Sequence, residues 1–234
     1  MTVIVLAGGV DRSKSIPFLL EQKLNQSTGV KKFEVMNLSV PGFDPIKENL
    51  FFDRFSNFNP DIVVIGFNGT DILKGNETQQ DCVSVTKNGC LYNKECKLGE
   101  EHAFLDEYLG WSHAYNFFNK KIRAIAETNS AWSGQKSALS GLIEKIRSKN
   151  AVPVIVFIPL VEVLSDRGSS DRKLALVKEL SNEKNVLLID ASGSIIEKSH
   201  AQKLYYEVFD DHTNAYGNEV IAEEIARSFD KIVK

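Results

Sequence analysis

The chain has 234 residues, of which 43% are hydrophobic and 25% charged, and its formal net charge is −3. This length and composition fit one large domain with a substantial core. The basic residues are dispersed, so a nucleic-acid partner is not expected. No apolar run approaches the roughly 20 residues of a membrane-spanning helix, and the first residues do not match a signal peptide.

Apolar runs alternate with helical patterns along the whole chain. The predicted strands are Val3–Ala7, Phe33–Leu38, Asp61–Gly66, Val152–Pro159 and Val186–Asp190. The predicted helices are Ser15–Asn25, Ile46–Phe58, Phe104–Glu127, Lys136–Asn150, Asp171–Leu180 and Thr213–Lys234. A polar stretch at about 74–103 is predicted to be an insertion in a single domain that covers 1–234.

Five strands that alternate with helices predict an α/β fold, a three-layer α/β/α sandwich around a five-stranded parallel sheet. We expect the flavodoxin-like strand order 2-1-3-4-5. Ligands of such sheets bind beyond the carboxyl ends of the strands. Asp190 ends the fifth predicted strand at that edge, where we expect it to order the following loop without a catalytic role.

A carboxylate two residues before a histidine stands on a polar loop ahead of the last predicted helix. These residues are Asp210 and His212. In serine hydrolases an aspartate holds the histidine in one tautomer and stabilises the imidazolium that forms when the histidine takes the nucleophile's proton. The pair predicts a general base at this position.

Three segments resemble sequence blocks of the SGNH hydrolase superfamily, also called GDSL esterases and lipases. They are Asn37–Gly42, Gly66–Ile72 and the stretch from Asp210 to Gly217, and their order and spacing match over nearly the whole length. The resemblance implies the SGNH fold and an ester hydrolase that needs no cofactor or metal. Its substrate would be a small molecule or a glycan, carrying a carbohydrate O-acetyl, short-chain or lipid ester.

The same resemblance implies residues that would bind the oxyanion of the reaction. The backbone N–H of Gly42 is one donor. Thr70 stands where the family has an oxyanion-hole asparagine, and Asn68 lies two residues earlier. Thr70 is shorter than asparagine and aims its hydroxyl differently, and loss of one oxyanion donor costs roughly 10²–10³ in rate.

The first block departs from the family pattern. Family members carry Gly-Asp-Ser after the first strand, whereas Leu6–Asp11 contains no such segment. Ser13 is the candidate replacement nucleophile. The pattern favours the competing interpretation, in which Ser13 and Asp11 cap the following helix.

Three explanations of this departure stay open. The chain is an ester hydrolase with impaired activity, or a catalytically inactive relative that binds a ligand or partner in the same crevice. Alternatively, the native protein carries a Gly-Asp-Ser-x-x-x-Gly segment between Ala7 and Gly9 that this sequence lacks. The oligomeric state is not predicted.

Three cysteines, Cys82, Cys90 and Cys96, fall in the polar stretch. Their spacing does not fit the paired cysteines of zinc sites. We favour a local disulfide with one thiol left over, although three free thiols are the alternative. A disulfide indicates an oxidising compartment, which favours an extracytoplasmic location.

Overall fold

The computed structural model describes residues 1–6, 12–27, 32–40, 43–54, 56–69, 71, 83–85, 91–93, 132–206 and 212–232. The chain divides into two compact units. The first unit combines Met1–Asp71 with Lys136–Lys234, and the second is Ile72–Gln135.

The strands in chain order are β1 (Thr2–Leu6), β2 (Glu34–Asn37), β3 (Ile62–Asn68), β4 (Val83–Val85), β5 (Leu91–Asn93), β6 (Val152–Ile158) and β7 (Leu187–Asp190). The helices are α1 (Ile16–Ser27), α2 (Pro45–Phe52), α3 (132–148), α4 (Arg167–Lys184), α5 (Ser192–Ser199) and α6 (Ala215–Ser228). Short 3₁₀ helices lie at Arg12–Lys14, Ser56–Phe58, Val161–Leu164 and Phe229–Lys231.

Five parallel strands form the sheet of the first unit in the order β2-β1-β3-β6-β7. This is the predicted order 2-1-3-4-5 once these five strands are counted in chain order. The central strand β3 has the sequence Ile-Val-Val-Ile-Gly-Phe-Asn, and its first four residues are fully buried. A strand covered on both faces needs such a continuous apolar run, so the predicted α/β fold is confirmed.

Alternate side chains of the strands face two helical layers. Val3, Val5, Ile62, Val64, Val154 and Val156 lie in one core with apolar residues of α1, α5 and α6. Val63, Ile65, Phe67, Ile155 and Phe157 are also buried and point the other way. Ion pairs join α3 to its neighbours in this second layer, with Lys145 bound to Asp53 after α2 (2.6 Å) and Lys136 to Glu183 of α4 (2.8 Å).

Several predicted helices have different ends in the structure, and two of them have a clear local cause. The helix predicted over Ile46–Phe58 ends at Phe52, and a separate 3₁₀ turn covers Ser56–Phe58. The chain then adopts a left-handed conformation at Asn59 (φ 45°) before Pro60, a pair that stops helices. The helix predicted over Asp171–Leu180 is longer, because the Asp166 side chain caps its start and Asn185, at φ 50°, ends it.

Helix α5 was not predicted. Its first residues, Ser192, Gly193 and Ser194, have the composition of a turn. The fold makes it a helix because Ile195 is fully buried in the core and the Asp190 carboxylate accepts from the backbone N–H of Ser192 (3.0 Å). That bond is the loop-ordering contact expected of Asp190.

In the second unit, β4 and β5 pair antiparallel with Ser84 opposite Tyr92. The predicted insertion at 74–103 falls within this unit. The predicted helix over Phe104–Glu127 and the three cysteines lie outside the described residues.

Candidate functional site

In the sequence, the predicted site residues stand at or after the ends of strands of the first unit, or on the loop before α6. Ser13, Asn68 and His212 belong to the described residues, whereas Asp210, Gly42 and Thr70 lie outside them. We call residues 212–214 the His212 segment and Arg12–Lys14 the Ser13 segment.

The His212 segment pairs with residues 204–206 through backbone hydrogen bonds. Tyr206 donates to the His212 carbonyl (3.1 Å), and Asn214 donates to the Leu204 carbonyl (2.9 Å). Between them, Tyr205 and Thr213 form an antiparallel bridge. This pairing fixes the backbone on which His212 stands, while the His212 side chain is exposed.

Asn214 joins the His212 segment to helix α6. Its side-chain oxygen accepts from the N–H groups of Tyr216 (2.9 Å) and Gly217 (3.0 Å), which is the N-cap of the helix. Its amide nitrogen donates back to the Lys203 carbonyl (2.9 Å). One side chain therefore secures both the helix start and the paired backbone.

Tyr205 ties this region to the end of a sheet strand. Its phenol donates to the Pro159 carbonyl (2.9 Å), directly after β6, and the residue is 6% exposed. Burial raises the pKa of the Tyr205 phenol, because a phenolate would be poorly solvated there. The hydroxyl therefore stays protonated as the donor of this bond.

Asn218, in the first turn of α6, joins the His212 segment to the Ser13 segment. Its side-chain oxygen accepts from the Thr213 hydroxyl (2.6 Å), and its amide nitrogen donates to the Lys14 carbonyl (3.0 Å). Asn218 is 1% exposed. This contact joins residues directly adjacent to the two predicted catalytic side chains, His212 and Ser13.

Ser13 itself lies in the 3₁₀ helix that leads into α1, and its side chain is exposed. Ser15, directly before α1, is buried. Ser13 therefore precedes a helix, and six residues separate it from Leu6, the last residue of β1. This place differs from the strand end at which the SGNH resemblance expects the nucleophile.

Asn68 ends β3 and forms a reciprocal turn with Asp71. The Asn68 N–H donates to the Asp71 carboxylate (2.8 Å), and the Asp71 N–H donates to the Asn68 carbonyl (2.9 Å). Because the Asn68 backbone N–H is already bonded, any oxyanion contact from Asn68 would come from its side-chain amide. Asp71 is buried and fixes this turn.

An ion pair lies beside that turn. A methyl group added at Gly69 would approach the Lys173 stem to 3.3 Å and the Leu160 side chain to 3.4 Å. The Lys173 ammonium pairs with the Glu162 carboxylate, and the lysine side chain is 13% exposed. Among the described residues, an ion pair therefore lies near the turn that follows β3.

Sequence reasoning missed Asn218, Thr213, Tyr205 and Asp71. A signal for Asn218 was present, because it occupies the apolar stripe of α6 with Ile221, Ala222 and Ile225. An asparagine on such a stripe needs buried hydrogen-bond partners. The roles of Tyr205 and Asp71 depend on contacts between separate segments, and the periodicity of the sequence does not show such contacts.

Within the described ranges, no group of three His, Cys, Asp or Glu side chains is placed to hold a metal ion. The helices found there are also too short or too polar to cross a membrane.

No protein-family model matches the sequence, and no curated protein matches it. Solved structures do match. An acetyl xylan esterase, AlAXEase, is 14% identical with a TM-score of 0.61, over 97% of this chain and 99% of its own. The esterase EstA from Pseudoalteromonas sp., solved with monoethylphosphonate as inhibitor, is 15% identical with a TM-score of 0.56, over 99% and 98%.

A putative lipolytic protein of the G-D-S-L family from Desulfitobacterium hafniense is 13% identical, with a TM-score of 0.58 over 97% of this chain and 98% of its own. At such low identity these likenesses show the fold. The described sheet order and the structural neighbours together confirm the predicted α/β fold with a five-stranded parallel sheet, which this chain shares with these solved esterases.

Proposed function

We propose that the chain hydrolyses carboxylic esters, with carbohydrate O-acetyl groups and short-chain or lipid acyl esters as its substrate class, and with His212 as general base. The observation that carries the proposal is the fixed placement of the His212 segment. Backbone pairing, the Asn214 cap and the Tyr205 contact to Pro159 hold it at the carboxyl edge of the sheet. The esterase identity of the structural neighbours supports the same reaction class.

In this reaction the His212 imidazole takes a proton from the attacking oxygen as that oxygen bonds to the ester carbonyl carbon. The carbonyl electrons move onto the carbonyl oxygen. Gly42, Thr70 and Asn68 are proposed to donate hydrogen bonds to the oxyanion that forms there. The bond to the alcohol then breaks, and the imidazolium returns its proton to the leaving oxygen. Asp210 is the proposed partner that stabilises the imidazolium.

The attacking oxygen is either the Ser13 hydroxyl, through an acyl-enzyme, or water. We propose that the attacking oxygen is that of water: His212 takes a proton from a water molecule as the water oxygen bonds to the ester carbonyl carbon, and turnover is slow. Ser13 lies within the 3₁₀ helix before α1 rather than at the end of β1, and a serine hydroxyl reacts only when a base lies within hydrogen-bond reach.

A catalytically inactive protein that binds an ester or a partner in the same crevice is the second candidate function. The observation that favours it is the stretch Leu6–Asp11, which carries no Gly-Asp-Ser nucleophile segment. In that case the ordered His212 segment would be an inherited scaffold.

Hydrolysis of p-nitrophenyl acetate by the wild type, His212→Ala and His200→Ala separates these candidates. His200 is a matched control, because it is also an exposed histidine and it ends α5. We expect slow wild-type turnover, a loss of at least about 10²-fold in His212→Ala, as removal of a general base produces, and no change in His200→Ala. A wild type no faster than buffer on acetyl, butyryl and acetylated-sugar esters would contradict hydrolysis and favour the binding protein.

A further inference from the structure

We propose that Asn218 is a positioning residue that holds the His212 segment in register with the Ser13 segment; its catalytic part rests on the function proposed above. The amide of Asn218 reaches both segments at once. It accepts from Thr213, the residue after His212, and donates to the carbonyl of Lys14, the residue after Ser13. The second contact joins residues 204 positions apart in the sequence.

The chemistry of the bridge requires an amide. Thr213 presents a hydroxyl donor and Lys14 presents a carbonyl acceptor, so the bridging side chain must accept at one atom and donate at another. Aspartate has an acceptor but no donor for Lys14, and leucine has neither. A buried amide without partners is unfavourable, so both contacts are needed to explain an asparagine at 1% exposure on the apolar stripe of α6.

The position of the bridge gives it a consequence for the base. The His212 segment is paired with residues 204–206 on one side, and Asn218 fixes its other side to the start of α1. The backbone that carries His212 is therefore held from both sides. A displacement of about 1 Å of a catalytic group can lower a rate about 10²-fold.

The variants Asn218→Leu and Thr213→Val test the bridge. Asn25→Leu is the matched control, because the Asn25 side-chain oxygen accepts from the Phe33 N–H (2.8 Å) and its amide nitrogen donates to the Phe33 carbonyl (2.9 Å). That contact connects α1 to the chain before β2 and does not involve the His212 segment. Asn218→Asp and Asn25→Asp form a second pair, which removes only the donor from each bridge.

Two readouts are needed. Hydrogen exchange followed by mass spectrometry reports the stability of peptides covering 12–20 and 212–220. Steady-state hydrolysis of p-nitrophenyl acetate reports kcat and KM separately. A residue with a merely structural role would lower thermal stability without a selective change in kcat.

We expect Asn218→Leu to speed exchange in both peptides about 10-fold or more and to lower kcat about 10- to 100-fold, with KM within about twofold. Thr213→Val should change exchange and kcat in the same direction but by a smaller factor. The double variant should match Asn218→Leu alone, because both substitutions remove the same hydrogen bond. The Asn25 variants should leave these readouts at wild-type values. If Asn218→Leu does not fold, Thr213→Val alone carries the test.

Unchanged exchange in both peptides would overturn the bridge. Faster exchange with unchanged kcat would overturn the positioning role while the proposed hydrolysis stands. A wild type without turnover would contradict the hydrolysis before any variant is compared, and exchange alone would then decide whether Asn218 holds the two segments in register.

Discussion

The His212 segment and the Ser13 segment differ in how the fold holds them. The His212 segment is paired with residues 204–206, capped by Asn214 and adjacent to Tyr205, which binds the end of β6. The Ser13 segment is a three-residue 3₁₀ helix with an exposed serine, joined to the His212 segment through Asn218. Among the described residues, most of these hydrogen bonds therefore belong to the His212 segment and its neighbours.

The base and the nucleophile of an acyl-transfer site can therefore be held by separate parts of a fold. A base can keep a defined position through contacts of its own loop, whereas a nucleophile depends on the turn that ends its strand. In this chain the segment of the proposed base, His212, is held by backbone pairing and by the Asn214 cap. The sequence of the nucleophile side departs from the pattern that the fold usually carries.

The largest loss of stability near the His212 segment is expected from Gly217→Ala. A Cβ at Gly217 would lie 2.3 Å from the Leu204 carbonyl oxygen and 2.9 Å from the Thr213 Cβ. The first turn of α6 would have to move away from the paired backbone, at a cost of about 2–3 kcal/mol. Urea denaturation should show this loss, together with faster exchange in the His212 segment.

Gly193→Ala is the matched control for that substitution. Gly193 lies in the first turn of α5, and an added Cβ there would meet nothing within 4 Å. Since alanine favours helices over glycine, we expect a gain of up to about 1 kcal/mol. Equal losses in both variants would show that the close approach at Gly217 does not hold α6 against the His212 segment.

A smaller effect is expected from Tyr205→Phe. This change removes the hydroxyl that donates to the Pro159 carbonyl and should lower the free energy of unfolding at pH 8 by about 1 kcal/mol. The pH dependence provides the sharper test. Burial raises the Tyr205 pKa. The hydroxyl therefore contributes fully to the free energy of unfolding below the tyrosine pKa of the unfolded chain, about 10, and this contribution is lost as pH rises beyond that pKa.

The difference between wild type and Tyr205→Phe should therefore shrink between pH 8 and pH 11. Lysines and the other tyrosines titrate in both proteins and cancel in the comparison. Denaturation midpoints at the two pH values provide the measurement. A difference that is the same at both would mean that the Tyr205 hydroxyl does not stay protonated in a buried bond.

The sheet was predictable from sequence because its strands are continuous Val/Ile runs, of which Ile62–Asn68 is the clearest. Helix α5 was not predictable in this way, since Ser-Gly-Ser at its start reads as a turn until the burial of Ile195 is known. Local composition predicts an element whose own residues carry the pattern of a strand or a helix. It does not decide elements that depend on a distant core.

The site shows the same division. His212 was proposed as a base from its local pattern, and the structure pairs its segment with residues 204–206. Asn218 was not identified, because its role depends on a carbonyl 204 residues away. Pairwise contacts between segments distant in sequence carry the arrangement of the site, and one sequence does not display them.

Labelling with a fluorophosphonate probe, combined with ester hydrolysis, tests whether His212 acts as a base without Ser13 as its nucleophile. The wild type, Ser13→Ala and His212→Ala are treated under identical conditions with a serine esterase as positive control, and the labelled peptide is mapped by mass spectrometry. We predict no stoichiometric adduct at Ser13 and the same p-nitrophenyl acetate turnover in Ser13→Ala as in the wild type. A stoichiometric Ser13 adduct that disappears in both variants would contradict the account and establish Ser13 as a relocated nucleophile.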